Sequence, residues 1–358
     1  MLSNEIPVII PAYEPDDKLP KLIRDLQAMD IKNIIVVNDG SSEKCRPFFE
    51  ECKELKVILL EHETNYGKGR ALKTAFKYCV DNFAEYIGAI TADSDGQHSP
   101  ACIERCAKAL LENPDDLIMG CRNFDDDSVP FKSKKGNKIT RTTMKLLAGV
   151  SVTDTQTGLR GIPVKFMEEL LKVPGDRYEF ETSMLLESHS HGIKITEVPI
   201  ETIYIDNNSG SHFNPIRDSI LIYKLFGKYI LSSLSSTVID FGLFIILCHF
   251  LRGGDFGAWS YITIATVYAR VVSAIFNYTI NYEVVFKGKG GLLKTFPKYV
   301  LVAVIQMSIS AFAVNVLCPL LGVVKLEFLV KIPVDTLLFV ASYIVQREFV
   351  YKNKKNIS

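Results

Sequence analysis

The chain is poor in charged residues over its second half, and this shortage divides it into two parts. Residues 229–358 hold 12 Lys+Arg and 6 Asp+Glu, whereas residues 1–228 hold 29 and 35. The formal net charge of zero therefore conceals an acidic first half and a sparsely charged, basic second half. Long apolar stretches with few charges are typical of membrane segments. We expect a soluble domain followed by a membrane domain.

The first half also lacks cysteines at metal-binding or redox spacing. Six of the eight cysteines lie there, and none forms a Cys-x-x-Cys. No basic region precedes the first apolar run, so no secretory signal is predicted. We expect reduced thiols and a cytoplasmic soluble half. We also find neither an internal repeat nor a low-complexity tract.

Short apolar runs alternate with helical patterns over the first 100 residues. The predicted strands are Ile6–Ile10, Ile34–Val37, Val57–Leu60 and Tyr86–Ala92. The predicted helices between them are Leu19–Met29, Pro47–Leu55 and Gly69–Asn82. A helix at Phe166–Leu171 and extended segments at Ile193–Val198 and Ile200–Ile205 would complete the domain. This alternation predicts an α/β fold with a mostly parallel sheet.

The most informative motif follows the fourth predicted strand. Asp93 and Asp95 lie one residue apart there, and Gln97 comes two residues later. Ligands bind at the carboxyl ends of strands in such sheets, and two carboxylates can hold Mg²⁺ or Mn²⁺ against a diphosphate. Taken alone, an acidic pair in a turn is more often an ordinary solvated turn.

The three earlier strand ends carry groups suited to a nucleotide. Pro11, Tyr13 and Glu14 follow the first strand, where a base could stack and hydrogen-bond. Asp39 follows the second and can accept hydrogen bonds from a ribose or base. Lys68 and Arg70 follow the third, in a glycine-containing loop that opens a helix and can neutralise phosphate. The loop is not a Walker A motif. The four strand ends together predict a nucleotide diphosphate site.

Four apolar stretches of membrane-spanning length follow residue 228. They are Tyr229–Leu251, Trp259–Tyr282, Tyr299–Leu321 and Phe328–Gln346. The second loop and the tail carry most of the lysines, which places both in the cytoplasm by the positive-inside rule. Ahead of the first stretch, Asn214-Pro215 opens an amphipathic pattern. That pattern predicts an interfacial helix on the bilayer, with an ordinary surface helix as the alternative.

Four ionisable residues lie within or beside these apolar stretches. They are Asp240, Arg270, Glu283 and Asp335. Such residues are costly inside a membrane and mark pairing or a polar pathway. An Asp240–Arg270 ion pair that only braces two helices, and a contact with a polar lipid headgroup, are both open at this point.

The soluble half resembles family 2 glycosyltransferases of the GT-A (Rossmann-like) fold, in the branch of polyprenyl-phosphate enzymes similar to dolichyl-phosphate mannose synthase. The motifs that carry this resemblance are Pro-Ala-Tyr at 11–13, Val-Val-Asn-Asp-Gly-Ser at 36–41, Asn-x-Gly-Lys-Gly at 65–69, Asp-Ser-Asp-Gly-Gln-His at 93–98, Gly-Cys-Arg at 120–122, Asp-Thr-Gln-Thr-Gly-Leu-Arg at 154–160 and Tyr-Glu-Phe-Glu at 178–181. The second half resembles GtrA-type membrane domains, through Val-Ile-Asp-Phe-Gly at 238–242 and the segment at 269–278.

The resemblance implies that the chain is divided into four segments. They are a GT-A catalytic domain at 1–205, a linker with the interfacial helix at 206–228, an all-α GtrA-like domain of four transmembrane helices at 229–351 and a basic cytoplasmic tail at 352–358. The enzyme would lie in the cell (inner or cytoplasmic) membrane as a multi-pass protein. Its catalytic domain and C-terminus would face the cytoplasm.

The resemblance also implies roles for individual residues. The nucleotide would be bound by Pro11, Tyr13, Glu14, Asp39, Lys68 and Asp93, and the metal by Asp93, Asp95 and Gln97. The acceptor phosphate would be bound by Arg122, Lys135, Lys138, Arg141 and Arg160. Catalysis would rest on Asp95, Arg122 and Arg141. One departure concerns the base: the family often has Asn-Glu after the tyrosine, whereas this chain has Glu14-Pro15, which leaves UDP or GDP open.

The predicted reaction is inverting transfer of a sugar from a nucleotide diphosphosugar to a polyprenyl phosphate of undecaprenyl or dolichyl type. Its partners would be the donor, the acceptor and the lipid bilayer, with no nucleic acid. Mg²⁺ or Mn²⁺ would be the cofactor. An acceptor phosphate is already anionic near pH 7, so no general-base side chain is expected. The membrane domain would anchor the enzyme, could help move the lipid-linked sugar across the bilayer and could support a homo-oligomer.

Three other functions compete with this prediction. A processive polysaccharide synthase would carry Gln-x-x-Arg-Trp, and the chain's single tryptophan, Trp259, is not preceded by that motif. A transport or flippase protein with a non-catalytic soluble domain would not need the acidic and basic motifs. A nucleotidyltransferase would have a glycine-rich signature at the first strand. The sugar, the nucleotide, the final glycoconjugate and the oligomeric state stay open.

Overall fold

The fold is described from a computed structural model of the chain. The structure describes residues 6–83, 85–124, 131–201, 215–252, 254, 261–286, 291–321 and 327–351. The chain divides into two compact units, Met1–Leu221 and Ile222–Ser358. The predicted extended residues 202–205, the predicted linker up to residue 214 and the predicted basic tail at 352–358 lie outside the described residues.

The first unit is built from alternating strands and helices. Its strands are Val8–Ala12 (β1), Ile34–Asn38 (β2), Ile58–Glu61 (β3), Gly88–Thr91 (β4), Leu117–Arg122 (β5), Arg160–Pro163 (β6) and Ile195–Ile200 (β7). Its helices are Lys18–Ala28 (α1), Arg46–Glu54 (α2), Lys68–Asn82 (α3), Pro100–Glu112 (α4), Phe131–Thr143 (α5), Val164–Leu170 (α6) and Glu179–His191 (α7). A π-helical turn, Met144–Ala148, extends α5.

The strands form one mixed sheet in the order β3-β2-β1-β4-β6-β5-β7. The pairs β3–β2, β2–β1, β1–β4 and β5–β7 are parallel, whereas β6 runs antiparallel to both β4 and β5. This topology confirms the predicted α/β class with a mostly parallel sheet. The strand order changes direction between β1 and β4, and such switch points are where open α/β sheets bind ligands.

The core of this unit forms between the sheet and the helices on its faces. β1 and β2 are runs of buried Ile and Val, as expected for strands covered on both sides. Helices α1 and α4 contribute Leu22, Leu26, Ile103 and Leu110 to the same core. The start of α4 is fixed by Pro100 and by the Ser99 hydroxyl, which accepts from the Cys102 N–H at 3.3 Å. The loop that precedes α4 carries the acidic pair, so this cap also anchors the site.

Several elements of the first unit were not predicted from the sequence, namely α4, β5, β6 and α7. Helix α7 lacks an apolar period in its sequence, because its buried face contains Ser183 and Ser188 beside Phe180, Met184 and Leu185. Two extended segments were predicted after residue 192. In the described residues there is one strand, β7, which ends at Ile200, where the second segment was predicted to begin. The α7 omission matters most, because this helix supplies a carboxylate to the site.

The second unit is helical, as predicted. Its helices are Pro215–Leu251 (α8), Tyr261–Ile280 (α9), Leu292–Leu320 (α10) and Glu327–Val345 (α11). The π-helical turns Asn281–Val285 and Gln346–Val350 extend α9 and α11. Within the described residues, two stretches are long and apolar enough to cross a membrane, Gly227–Leu251 and Leu292–Leu317. The predicted interfacial helix and the first predicted span belong to one continuous helix, α8.

The second unit contains an internal repeat, contrary to the sequence-based expectation. Lys-Tyr pairs at 228–229 and 298–299 occupy matching places in α8 and α10. Asn277-Tyr278-x-x-Asn281 in the α9 segment likewise matches Ser342-Tyr343-x-x-Gln346 in the α11 segment, and a π-helical turn follows each. The number of residues between α8 and α9 differs from that between α10 and α11, so no fixed period reveals the repeat. We refer to the helix pairs α8–α9 and α10–α11, which share these short motifs, as the two hairpins of the unit.

Contacts between matching residues join the two hairpins. Asn281 Nδ2 donates to Gln346 Oε1 at 3.3 Å, and these two residues occupy the same place in the repeat. The Tyr299 hydroxyl donates to Asn277 Oδ1 at 3.0 Å, while Gln346 Nε2 donates to the Tyr229 hydroxyl at 3.2 Å. The hairpins thus meet through equivalent polar groups near the ends of α9 and α11.

Candidate active site

The sheet brings three of the predicted strand ends together. β1 lies between β2 and β4, so the residues that follow Ala12, Asn38 and Thr91 emerge side by side. Antiparallel pairing of Thr91 with Arg160 places the loop before β6 beside the end of β4. The Thr91 hydroxyl donates to the Gly158 carbonyl at 2.7 Å, which fixes that loop against the acidic motif.

Asp93 is held through one carboxylate oxygen and through its backbone N–H. Lys68 Nζ lies 2.7 Å from Oδ1, and the buried His98 ring accepts from the Asp93 N–H through Nδ1 at 3.2 Å. A Cβ atom at Gly158 would lie 2.3 Å from Oδ2, so only glycine leaves room for this carboxylate. Burial opposes ionisation, but the Lys68 ammonium outweighs it and lowers the pKa of Asp93 to about 2.

Lys68 bridges two carboxylates from different parts of the chain. Its ammonium lies 2.7 Å from Asp93 Oδ1 and 3.0 Å from Glu181 Oε1, in the first turn of α7. Burial disfavours the ammonium, but the two carboxylates more than compensate and raise the pKa of Lys68. The lysine side chain, which is 18% exposed, is therefore a fixed positive charge at the N-terminus of α3.

Asp95 has fewer partners than Asp93 among the described residues. It is exposed, and the Gln97 N–H donates to its Oδ1 at 3.0 Å. Among the described residues, none donates a hydrogen bond to Oδ2. Partial loss of water around the carboxylate, followed by the negative charge of Asp93, raises the pKa of Asp95. A cation placed between the two carboxylates would relieve their repulsion.

The acidic pair fits a Mg²⁺ or Mn²⁺ ion that is shared with a ligand. Mg²⁺ takes one or two protein carboxylates and completes its shell with water and phosphate oxygens. Within the described ranges, no group of three or more His, Cys, Asp or Glu side chains converges as a metal site. Asp93 and Asp95, with the half-buried Gln97 beside them, thus offer two charged ligands and leave the remaining positions to a substrate.

Asp39 is buried beneath the loop that opens α3. It is 2% exposed, and its carboxylate accepts from the N–H groups of Tyr66 at 3.0 Å and Gly67 at 2.7 Å. His62 Nδ1 lies 2.7 Å from Oδ1. Gly67 has a φ of +105°, which favours glycine. Asp39 therefore fixes the start of α3, and with it the position of Lys68; its predicted contact with a nucleotide stays a prediction.

The loop after β1 presents an aromatic ring beside a fixed carboxylate. Pro11 is buried in β1, and the Tyr13 ring is 54% exposed. Glu14 has a φ of +49° and accepts from both the N–H and the hydroxyl of Ser42. The hydrogen bond from the Ser42 N–H, then that from its hydroxyl, lowers the pKa of Glu14. Glu14 thus ties the β1 loop to the β2 loop, and Tyr13 is left available for stacking.

Arg122, at the end of β5, is oriented by a buried carboxylate. Its Nε lies 2.7 Å and its Nη2 3.2 Å from the two oxygens of Asp154, which is 0% exposed. The Gln156 N–H also donates to Asp154 Oδ1 at 3.0 Å. Such a two-point pairing fixes the plane of a guanidinium, here 23% exposed as a side chain.

The predicted basic residues of α5 lie on its outer side. Lys135 and Lys138 are exposed and Arg141 is partly exposed, whereas Asn137 and Thr140 are buried. Asn137 Nδ2 donates to the Thr153 carbonyl at 2.7 Å, next to Asp154. Through this contact α5 packs against the loop that orients Arg122.

Arg160 does not lie where a phosphate contact requires. It is 1% exposed, and its guanidinium donates to the Thr157 carbonyl at 3.0 Å and the Glu181 carbonyl at 2.7 Å. The predicted contact with the acceptor phosphate is therefore corrected for this structure. Arg160 supports the site from beneath, because β6 pairing turns its side chain into the core between the loop before β6 and α7.

Three residues that complete the site were not assigned from the sequence. Glu181 and Asp154 lie in quoted motifs, but neither motif reveals that its acid pairs with Lys68 or Arg122. His98 follows the acidic pair and holds its backbone. A signal was present for Asp154, which is the only acid in a motif that ends in Arg160. The pairing itself depends on the fold.

Comparison with known proteins gives consistent matches for both halves of the chain. The model for glycosyl transferase family 2 matches residues 8–171, and the model for the GtrA/DPMS transmembrane domain matches residues 228–355. An uncharacterized protein of Methanocaldococcus jannaschii is 32% identical over 62% of this chain and 91% of its own length. A UDP-N-acetylglucosamine–dolichyl-phosphate N-acetylglucosaminyltransferase of Methanococcus voltae is 30% identical over 63% of this chain and 96% of its own length.

More distant matches include a second lipid-phosphate enzyme and one solved structure. An undecaprenyl-phosphate 4-deoxy-4-formamido-L-arabinose transferase of Pseudomonas fluorescens is 24% identical over 62% of this chain and 63% of its own length. A glucosyl-3-phosphoglycerate synthase from Mycobacterium tuberculosis, solved with phosphoglyceric acid, is 15% identical over 61% of this chain and 78% of that one, with a TM-score of 0.48. That score is too low for a residue-by-residue comparison of the two sites.

Proposed function

Because this chain belongs to glycosyl transferase family 2 and carries a GtrA/DPMS transmembrane domain, we propose that it moves a sugar from a nucleotide diphosphosugar to a polyprenyl phosphate in the membrane. The observation that carries the proposal is the acidic pair with Lys68, at the switch point of the sheet. The Methanococcus voltae relative, whose name gives a UDP-sugar donor and a dolichyl-phosphate acceptor, supports it.

The donor would be bound along the ends of β1, β2 and β4. Tyr13 would stack on the base, Pro11 and Glu14 would shape its pocket, and Asp39 would support the nucleotide. Asp93 and Asp95, with Gln97, would hold Mg²⁺ or Mn²⁺. That ion would supply positive charge to the departing diphosphate. Lys68, which is preorganised by its two carboxylates, would add a second positive charge there.

The acceptor phosphate would be bound by Arg122 together with Lys135, Lys138 and Arg141. Arg122 suits this role because Asp154 fixes its guanidinium, and arginine can bind phosphate oxygens at two points. A phosphate is already an anion near pH 7, so the chain would position the nucleophile rather than deprotonate it. Direct attack from the face opposite the diphosphate would invert the anomeric centre.

The helical unit would hold the active site at the surface that contains the acceptor. The protein is a membrane protein by its transmembrane domain and its two apolar helices. We propose four crossings in the cell membrane, with the catalytic domain and the C-terminus in the cytoplasm. A polyprenyl chain stays in the bilayer, so its phosphate would lie at headgroup level beside such an enzyme.

We also propose that the helical unit contacts the lipid-linked product as it crosses the bilayer. Arg270, near the middle of α9, has a 73% exposed side chain, and its Nε lies 3.4 Å from Asp240 Oδ2. An exposed guanidinium inside a membrane is costly and favours an anionic headgroup as partner. Arg270→Gln in proteoliposomes should preserve product synthesis and reduce its transfer between leaflets; equal leaflet transfer in both proteins would refute this role.

Product formation tests the main proposal. The purified full chain would be incubated with undecaprenyl or dolichyl phosphate, Mn²⁺ or Mg²⁺ and a panel of UDP- and GDP-sugars, and the lipid fraction analysed by mass spectrometry. We expect one donor class to give a lipid-linked monosaccharide. Absence of a lipid-linked product with every donor would refute the proposal, and a polymeric product would favour the processive synthase.

A further inference from the structure

We propose that Lys68 is a transferable counter-ion, which neutralises Asp93 until a metal-bound diphosphate arrives, and that Glu181 is the positioning residue that keeps it in the site. The inference rests on the proposed function, because it assumes that the acidic pair binds a metal diphosphate. It assigns Glu181 a role in donor binding, and it predicts that metal and lysine compete for one carboxylate.

The geometry of Lys68 supports an exchange of partners. Its ammonium has three donor hydrogens, and two carboxylates accept from it, Asp93 at 2.7 Å and Glu181 at 3.0 Å. The backbone beneath it is fixed, because Asp39 accepts from the Gly67 N–H at 2.7 Å. Movement of the charge therefore needs only side-chain rotation about a fixed helix start.

The neighbouring cations of α3 are paired with groups outside the acidic motif. Arg70 Nη2 lies 2.7 Å from Asp176 Oδ2, and Lys73 Nζ donates to the Gly175 carbonyl at 2.7 Å and lies 3.2 Å from Asp176 Oδ1. Neither of these partners is a candidate metal ligand. Lys68 is thus the cation of this turn whose counter-ion would change when a metal binds.

A metal on Asp93 and the ammonium on the same carboxylate would repel each other. Asp93 Oδ2 packs against Gly158, where a Cβ atom would lie 2.3 Å away, and Oδ1 already contacts Lys68. A metal on Asp93 would therefore share one carboxylate with the ammonium, and like charges at such short range oppose each other. Without a diphosphate, Lys68 weakens metal binding.

A bound diphosphate turns the competition between Lys68 and the metal into mutual support. Its negative oxygens at the N-terminus of α3 would attract the ammonium away from Asp93, while Glu181 keeps it within reach. The metal can then bind Asp93 without repulsion from Lys68, and Lys68 can contact the diphosphate. Because such coupling is reciprocal, each ligand increases affinity for the other. This makes the metal and the nucleotide bind cooperatively.

The test compares metal binding with nucleotide binding in the full chain reconstituted in nanodiscs. Free Mn²⁺ would be followed by electron paramagnetic resonance, alone and with UDP or GDP. Lys68→Met should increase the affinity for Mn²⁺ alone by roughly tenfold and decrease that for the Mn²⁺–nucleotide pair by a similar factor. Glu181→Gln should decrease both affinities, because the site loses negative charge and Lys68 is left to Asp93.

Two variants in the same helices serve as controls. Lys77→Met in α3 removes a lysine paired with Asp81 at 2.9 Å, and Glu187→Gln in α7 removes a carboxylate about 1.7 turns beyond Glu181. Both should bind Mn²⁺ and nucleotide as the unmodified chain does. Thermal unfolding of all four variants shows whether each is folded.

The outcomes separate this inference from the proposed function. If Lys68→Met leaves the Mn²⁺ affinity unchanged or lowers it, in a chain that binds Mn²⁺, the exchange is refuted and the transferase proposal is unaffected. If the unmodified chain binds no Mn²⁺ yet forms lipid-linked product, the metal part of the proposed function fails, and this inference fails with it. Opposite shifts for Mn²⁺ alone and Mn²⁺ with nucleotide support the exchange.

Discussion

The two units of the chain place their carboxylates in opposite surroundings. In the α/β unit, Asp93 and Asp95 lie one residue apart, and the raised pKa of Asp95 reflects lost hydration and the charge of Asp93. In the helical unit, Asp240 accepts from the Ser273 hydroxyl at 3.1 Å and lies near Arg270, and Asp335 accepts from Ser310 at the matching place of the second hairpin.

This contrast separates a site prepared for a ligand from contacts that mainly hold helices together. Carboxylates that repel each other at a sheet edge are costly until a cation binds, so they are better explained by function than by stability. Amides and hydroxyls that pair across two similar hairpins satisfy each other without a ligand. We therefore expect substitutions in the first unit to reduce activity and those at the hairpin contacts to reduce stability.

The largest effect is expected for Asp95→Asn. The change is nearly isosteric but removes one of the two charges offered to the metal, so sugar transfer should fall by about 10²- to 10³-fold while thermal unfolding stays the same. Initial rates of lipid-linked product formation measure this. Asp115→Asn, at an exposed acid of the same unit, is the control. Full activity in Asp95→Asn would place the metal elsewhere.

A smaller loss is expected for Gly158→Ala, which tests the position of Asp93 without changing its charge. The new Cβ would lie 2.3 Å from Asp93 Oδ2, so the carboxylate must shift. A misplacement of about 1 Å can reduce turnover about 10²-fold. Gly227→Ala adds a Cβ atom that meets nothing within 4 Å and should retain full activity. Equal kcat values in the two variants would contradict this account of the site.

Asp154→Asn should affect the acceptor rather than the donor. It removes the charge that orients Arg122, so KM for polyprenyl phosphate should rise roughly tenfold while KM for the nucleotide sugar is unchanged. Asp116→Asn is the matched control, because Asp116 pairs with Lys194 at 3.1 Å beyond the opposite end of β5. An increase in the donor KM alone would assign Arg122 to the other substrate.

The smallest effect is expected in the helical unit and concerns stability alone. Asn281→Ala and Gln346→Ala, singly and together, form a double-mutant cycle across the hairpin contact. Such contacts between membrane helices are worth about 0.6 kcal/mol, and we expect a coupling energy of that size with transfer activity retained. Reversible unfolding in mixed micelles measures the free energy. A large loss of transfer activity with unchanged stability would show that this hairpin contact serves function rather than stability.

Much of the fold could be predicted because its elements have strong local signals. The buried Ile and Val runs of β1 and β2 and the periodic helices α1 and α3 follow directly from the sequence. Helix α7 could not be predicted in this way, because two residues of its buried face, Ser183 and Ser188, are polar. The repeat of the hairpins was also missed, since its equivalent positions exchange Asn for Ser or Gln, and Phe for Tyr.

The site was predicted in part, for a similar reason. Asp93, Asp95 and Lys68 stand at strand ends, and strand order alone suggests that they converge. The partners that orient them come from distant segments: Glu181 from α7, Asp154 from the loop before β6. Arg160 was assigned to the acceptor phosphate because the family resemblance implied that role. Its place on β6, which pairs in the interior of the sheet, buries it instead.

The central claim is that the acidic pair holds a diphosphate through a metal ion, and calorimetric titration of the full chain with UDP and GDP tests it most directly. With Mn²⁺ present we predict binding of one of the two nucleotides, weakened at least about tenfold by a chelator and lost to a similar extent in Asp95→Asn. Equal affinity with Mn²⁺ and with the chelator, in both the unmodified chain and the variant, would contradict the account.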